Sequence, residues 1–129
     1  MLVDDDTDDQ ELFGIALESI DENIRCEFAK DGLEGLEKLE AAAELPDFIF
    51  LDLNMPRMGG KECLQKIRSI PAYDAIPVIM ISTSSNPADQ SETMENGANG
   101  FIIKPPRTSE LIQQIETVFK THTTQLKST

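Results

Sequence analysis

Residues 47–52 read "DFIFLD", an apolar run with an acid at each end. A strand with one face in water alternates apolar and polar residues, because successive side chains point to opposite sides. This run does not alternate. Both of its faces are covered, as in a parallel sheet with helices above and below. Working outward, "IPVIMIS" (76–82) and "GFIIK" (100–104) repeat the pattern and again end on a polar residue. "MLV" (1–3) is a short strand stub and "IRCEFA" (24–29) a further strand.

Helical patterns fill the intervals. Residues 7–20 place Phe13, Ala16, Leu17 and Ile20 on one face. Asp31-Gly32 turns the chain into a helix with Leu33, Leu36 and Ala43 inward, and 59–70 carries Leu64, Ile67 and Ile70. Asn86 is a good N-cap with Pro87 at the first helical position, and Gly97 is a plausible stop. This fourth helix offers little apolar surface, Met94 being its main large side chain, so weak docking is expected. A last helix starts near Thr108 and buries Leu111, Ile112, Ile115, Val118 and Phe119. Beyond about His122 the chain reads as a polar, fraying tail. Strict alternation of strand and helix predicts an α/β fold: a doubly wound five-stranded parallel sheet, helices on both faces, right-handed crossovers.

With 129 residues the chain fits one domain and one modest core. No run approaches the ~18 apolar residues of a membrane span, and no signal-peptide pattern opens the sequence. Cys26 and Cys63 form no metal-spaced motif and read as small core residues in a reducing cytoplasm. A net charge of −13 repels nucleic acid and anionic lipid, so direct DNA binding is not expected.

In open parallel sheets ligands sit beyond the carboxyl ends of the strands. Those ends carry Asp4 and Asp5, Asp52, Ser82 and Lys104. Five aspartates crowd the six positions from Asp4 to Asp9. Three converging carboxylates repel one another unless a cation sits among them. Hard oxygen ligands with room for water suit Mg²⁺. Asp4 and Asp5 thus read as half of a metal site and Asp52 as the other half. Asp6, Asp8 and Asp9 have the milder task of favouring the positive end of a helix dipole. An EF-hand loop starting at Asp4 fails, because its sixth position is Asp9 and its twelfth Ile15. A flavin site fails because the first loop is acidic and would reject phosphate without a metal.

"LVDDD", "FIFLDLNMPRMGG", "IPVIMISTS" and "GANGFIIKPP" together resemble the receiver domain of two-component response regulators. The resemblance covers residues 1–122, leaving 123–129 as a C-terminal tail, and implies the flavodoxin-like strand order 2-1-3-4-5. It implies Asp52 as the phosphoacceptor. It implies Mg²⁺ held by Asp4, Asp5, Asp52 and the backbone carbonyl of Asn54, with Asp4 acting mainly through water. Ser82 and Lys104 match the hydroxyl and ammonium that contact the phosphoryl group. Ser82 with Phe101 matches the pair that switches on phosphorylation, and Pro105 would follow a cis peptide bond. Three features depart from the usual pattern. The first strand is short, Pro106 stands where a bulky apolar residue is common, and Thr83 where a very small one is.

The resemblance implies a sensor histidine kinase or histidine phosphotransfer protein as phosphoryl donor and a downstream protein target. The expected output face is the fourth helix, fifth strand and fifth helix, through which a homodimer is a further expectation. The expectation is a stand-alone regulator, not a metabolic enzyme, that catalyses only its own phosphorylation and slow dephosphorylation. "STSSNP" (82–87) is similar to regulators paired with bacterial phytochromes. A haloacid-dehalogenase-like hydrolase is the rival enzyme, but its Asp-x-Asp-x-Thr spacing is missed by one residue at Asp4, Asp6 and Thr7. A phosphorylation-independent binding module is the other rival. Met55 and Met58 read as loop packing, and His122 as a tail residue without partners.

Overall fold

The computed structural model describes residues 1–127, and side chains through residue 122. Its elements run β1 (Leu2–Val3), α1 (Thr7–Ile20), β2 (Phe28–Ala29), α2 (Gly32–Ala41), β3 (Ile49–Asp52), α3 (Gly60–Arg68), β4 (Val78–Ser82), α4 (Pro87–Glu95), β5 (Gly100–Ile103) and α5 (Thr108–Lys127). A 3₁₀ turn at Pro71–Tyr73 precedes β4. The strands form one sheet in the order β2-β1-β3-β4-β5, every pair parallel. This is the expected doubly wound architecture.

The unbroken apolar runs do what their composition predicts. All four residues of β3 and all five of β4 are buried. Ile49, Leu51, Val78 and Met80 face one core layer with Leu39, Cys63, Leu64 and Ile67 from α2 and α3. Phe50, Ile79 and Ile81 face the other, with Phe13, Ala16 and Leu17 of α1 and Ile115 of α5. Each fully buried side chain of this size stabilises by about 1.5–3 kcal/mol. Cys63 belongs to the first layer, and burial pushes its thiol up to about 12, which makes it an inert core residue.

Several local expectations need correction. The second strand spans only Phe28–Ala29, because its ladder partner β1 is itself two residues long. In α2 Leu39 is buried and Leu36 packs half-buried against the same core layer, as expected of Leu36; Leu33 is exposed and Ala43 lies beyond the helix, also exposed. α3 stops at Arg68, and Ile70 sits outside it with extended backbone and a partly exposed side chain. Pro71 follows, and the residue before a proline is sterically driven out of the helical region. α4 agrees with its expected weak docking: its buried residue is Thr93, and Met94 is exposed. α5 continues to Lys127, past the expected onset of the tail; residues 128–129 lie outside the described residues. His122 does have a neighbour, an edge-on contact with Phe48.

The helix signals hold. Asn86 caps α4 by accepting from the Ala88 N–H at 3.0 Å, with Pro87 in the first turn. Gly97 ends it with φ 102°, in the left-handed region that glycine tolerates. No described helix is long and apolar enough to cross a membrane.

Candidate functional site

Because every strand is parallel, the carboxyl ends of β1, β3, β4 and β5 open on one edge. Asp4 follows β1, Asp52 and Ser82 end β3 and β4, and Lys104 follows β5. Asp4, Asp5 and Asp52 each place a carboxylate oxygen within 4.8 Å of the others. Asp4 and Asp52 are buried and Asp5 is exposed. Lys104 Nζ stands 3.1 Å from Asp4 Oδ2 and 3.6 Å from Asp52 Oδ2.

Local hydrogen bonds explain this convergence. The Asp6 N–H donates to Asp4 Oδ1 at 2.9 Å, and the Gln10 amide donates to the Asp4 carbonyl at 2.7 Å. The Asp6 carboxylate caps α1 by accepting from the Asp8 and Asp9 N–H groups. On β3 the close approach of α3 sets the geometry. A Cβ on Gly60 would lie 2.3 Å from the Asp52 carbonyl oxygen, so only glycine fits there. The Gly60 N–H then reaches the Leu53 carbonyl at 2.9 Å. The Lys104 N–H bonds the Ser82 carbonyl at 2.7 Å, tying the ends of β4 and β5 together.

Burial pushes the Asp52 carboxyl up to about 6. Asp4 and Asp5 add to the rise, while Lys104 and the Asn54 N–H oppose it. Burial also raises Asp4, against the pull of the Asp6 N–H and Lys104. For Lys104 burial disfavours the ammonium, but Asp9, Asp52 and Asp4 together outweigh it and the net shift is upward. The donor set fits a divalent cation. Three carboxylates crowd one edge, two of them carry a charge the protein disfavours, and an ion among them would relieve both costs.

The structure therefore brings Asp4, Asp5, Asp52 and Lys104 together. Ser82 is buried on the neighbouring strand, one position past Ile81, the residue in register with Asp52. Its Oγ accepts from the Ser84 N–H at 3.0 Å. Asn54 lies in the loop after β3 with its side chain exposed, and its backbone N–H favours the charged form of Asp52. Phe101 is half-buried against the α2/α3 core layer and paired with Met80. The expected cis bond before Pro105 is absent, since no peptide in the described chain is cis. A proline amide keeps a trans preference of about 0.5–1 kcal/mol, and Lys104 reaches its acids without the rarer isomer.

Two sets of contacts escaped the sequence reading. Asp9 Oδ2 lies 2.8 Å from Lys104 Nζ, closer than either Asp4 or Asp52. A helical Cβ leans toward the helix N-terminus, so an acid in the first turn of α1 was a candidate for the strand-end edge. Arg57, in the left-handed region at φ 63°, donates from Nε to Asp31 Oδ2 at 2.7 Å and holds that carboxyl below its usual range. This pair fastens the loop after β3 to the start of α2. No local pattern announces it.

A family model described as "Response regulator receiver domain" matches residues 1–116. The chain is 36% identical over 94 residues to chemotaxis protein CheY1 of Helicobacter pylori, covering 73% of this chain and 75% of that protein. Its match to hybrid signal transduction histidine kinase D of Dictyostelium discoideum is 33% identical over 87 residues, which is 67% of this chain but only 6% of that protein. Among solved structures it is similar to the phosphorylated cyanobacterial phytochrome response regulator RcpA, with TM-score 0.84, 33% identity and coverage of 92% and 89% of the two chains. It is also similar to the Mn²⁺-bound form of response regulator Rcp1, with TM-score 0.77, 28% identity and coverage of 92% and 88%. The strand order, the acidic edge facing a lysine, and a family match spanning most of the chain agree: this protein belongs to the response regulator receiver domains of two-component signalling.

Proposed function

We propose that Asp52 accepts a phosphoryl group from a phosphohistidine, on a sensor histidine kinase or a histidine phosphotransfer protein. The observation that carries this reading is a buried carboxylate at the end of β3, with two further acids and an ammonium within reach. A carboxylate is a weak nucleophile, so transfer depends on position and charge neutralisation. An Asp52 oxygen attacks phosphorus in line, the P–N bond breaks, and the imidazole leaves with the electron pair. Lys104 offsets charge on the phosphoryl oxygens. The Ser84 N–H occupies a lone pair of Ser82 Oγ, which leaves the Ser82 O–H free to donate to a phosphoryl oxygen. Asp4, Asp5, Asp52 and the Asn54 carbonyl would hold Mg²⁺, which supplies charge neutralisation when bound. Water later attacks phosphorus, releasing inorganic phosphate and restoring Asp52. The protein is a switch that turns over its own modification, not a metabolic enzyme.

Output through α4, β5 and α5 is supported by exposed Met94 and Ile103 and by the sparse packing of α4. The same face is the proposed site of homodimerisation. The "STSSNP" run and the likeness to RcpA favour a phytochrome-type kinase as donor. Free thiols at Cys26 and Cys63 fit a cytoplasmic location, and the net charge of −13 argues against direct nucleic-acid contact. The deciding test is incubation with Mg²⁺ and acetyl phosphate. One base-labile phosphoryl group per chain, absent in Asp52→Asn, is expected. Multiple turnover on small phosphate esters would support a hydrolase instead, and no labelling a passive binding module.

A further inference from the structure

The ammonium of Lys104 has three protons and three carboxylates around it. Asp9 is nearest at 2.8 Å, Asp4 next at 3.1 Å, and Asp52 lies at 3.6 Å, beyond good hydrogen-bonding range. Asp9 is well placed for this. Its own N–H bonds the capping Asp6 carboxylate at 3.1 Å, so its backbone is fixed in the first turn of α1. Asp8, its neighbour in the same turn, is exposed and makes no ion pair among the described residues. Nothing in helix capping requires the Asp9 side chain to reach across to the residue after β5.

We infer that Asp9 is a positioning residue that holds Lys104 at the rim of the site and attenuates its pull on the phosphoryl group. This rests on the phosphoacceptor reading above. The physical argument is charge balance. The phosphoryl group brings two or more negative charges toward an edge that already carries three acids. Lys104 is the ammonium that answers them, and Asp9 neutralises part of that answer at contact distance. Asp9 also adds a negative charge close to the incoming oxygens. In a partly buried site, where interactions between charges are weakly screened, both effects oppose the modified state. Asp9 thereby keeps the unmodified form well populated and sets how hard the switch is to throw.

The experiment is a beryllofluoride titration of the full chain with Mg²⁺, followed by amide chemical shifts. Asp9→Asn should bind about five-fold or more tightly than wild type, and Asp9→Glu should restore wild-type affinity. Asp8→Asn, which removes a charge from the same helix turn, should stay within about two-fold. In the protein without beryllofluoride, hydrogen exchange at the Lys104 ammonium should quicken in Asp9→Asn, a readout that needs no loaded site. Unchanged or weaker binding by Asp9→Asn, or an equal gain in Asp8→Asn, overturns the inference alone. If wild type shows no response to beryllofluoride, the phosphoacceptor reading falls and this inference falls with it.

Discussion

α3 and α4 are neighbours of the same length, nine residues each, and they are held by different forces. α3 buries Cys63, Leu64 and Ile67 in a core layer and brings Gly60 onto the end of β3. α4 buries Thr93, whose hydroxyl bonds its own helix carbonyls, and leaves Met94 in solvent. Its tethers are polar. Lys61 on α3 reaches Asp89 at 2.9 Å and Glu92 at 2.7 Å, and the Ser84 hydroxyl donates to Asp89 at 3.0 Å. Apolar burial fixes a helix in one place. A few surface ion pairs contribute little and weaken as salt rises. The lesson is that one helix is fixed by its core contacts and the other is held by polar tethers that solution conditions can weaken. The polar tethers also begin at the site, since Ser84 bonds both Ser82 Oγ and Asp89.

The comparison breaks most directly by truncation. Leu64→Ala should cost about 2–5 kcal/mol by denaturant unfolding, whereas Met94→Ala should stay within about 0.5 kcal/mol. Equal costs would show that α4 is packed as firmly as α3.

A second test asks what α3 is holding down. The Asp52 carboxyl, raised to about 6 from its ordinary 3.8, makes the charged form unfavourable in the folded protein. The folded state therefore binds more protons than the unfolded chain between those values. Stability from this group is greatest in acid and is lost as pH rises through about 6. In metal-free protein near neutral pH, Asp52→Asn should be more stable by on the order of 1–3 kcal/mol. Thermal unfolding at several pH values checks it: the advantage should shrink on acidification, and Mg²⁺ should also reduce it by stabilising the wild type. A less stable Asn variant at neutral pH would contradict the electrostatic account.

The smallest effect sharpens the comparison at α4 itself. Lys61→Met should leave global stability nearly unchanged while amide exchange in α4 rises several-fold and α3 stays protected. The contrast should fade in about 1 M salt, where the ion pairs of the wild type are screened. Equal exchange in both helices would remove the division of labour.

Much of this was legible in the chain. "DFIFLD" and "IPVIMIS" identified covered strands because burial on both faces leaves no polar alternation, and their last residues named Asp52 and Ser82. Asn86-Pro87 and Gly97 marked α4 because capping and φ preferences act over a few residues. The misses share one cause. The positions of Leu33 and Ala43 around α2, the length of β2 and the Phe48–His122 contact all depend on what lies opposite. The bond before Pro105 was assigned from resemblance and is trans.

Local pattern alone determined the alternation of strand and helix, the parallel sheet, and the four strand ends where Asp4, Asp52, Ser82 and Lys104 stand. Backbone geometry and hydrophobic periodicity act over a turn or a strand, so their record lies in adjacent residues. Only the folded molecule decided which acid Lys104 meets first, because Asp9 is 95 positions away along the chain. Electrostatic energy depends on separation in space, and that separation is set by how β1 and α1 come to lie beside the end of β5.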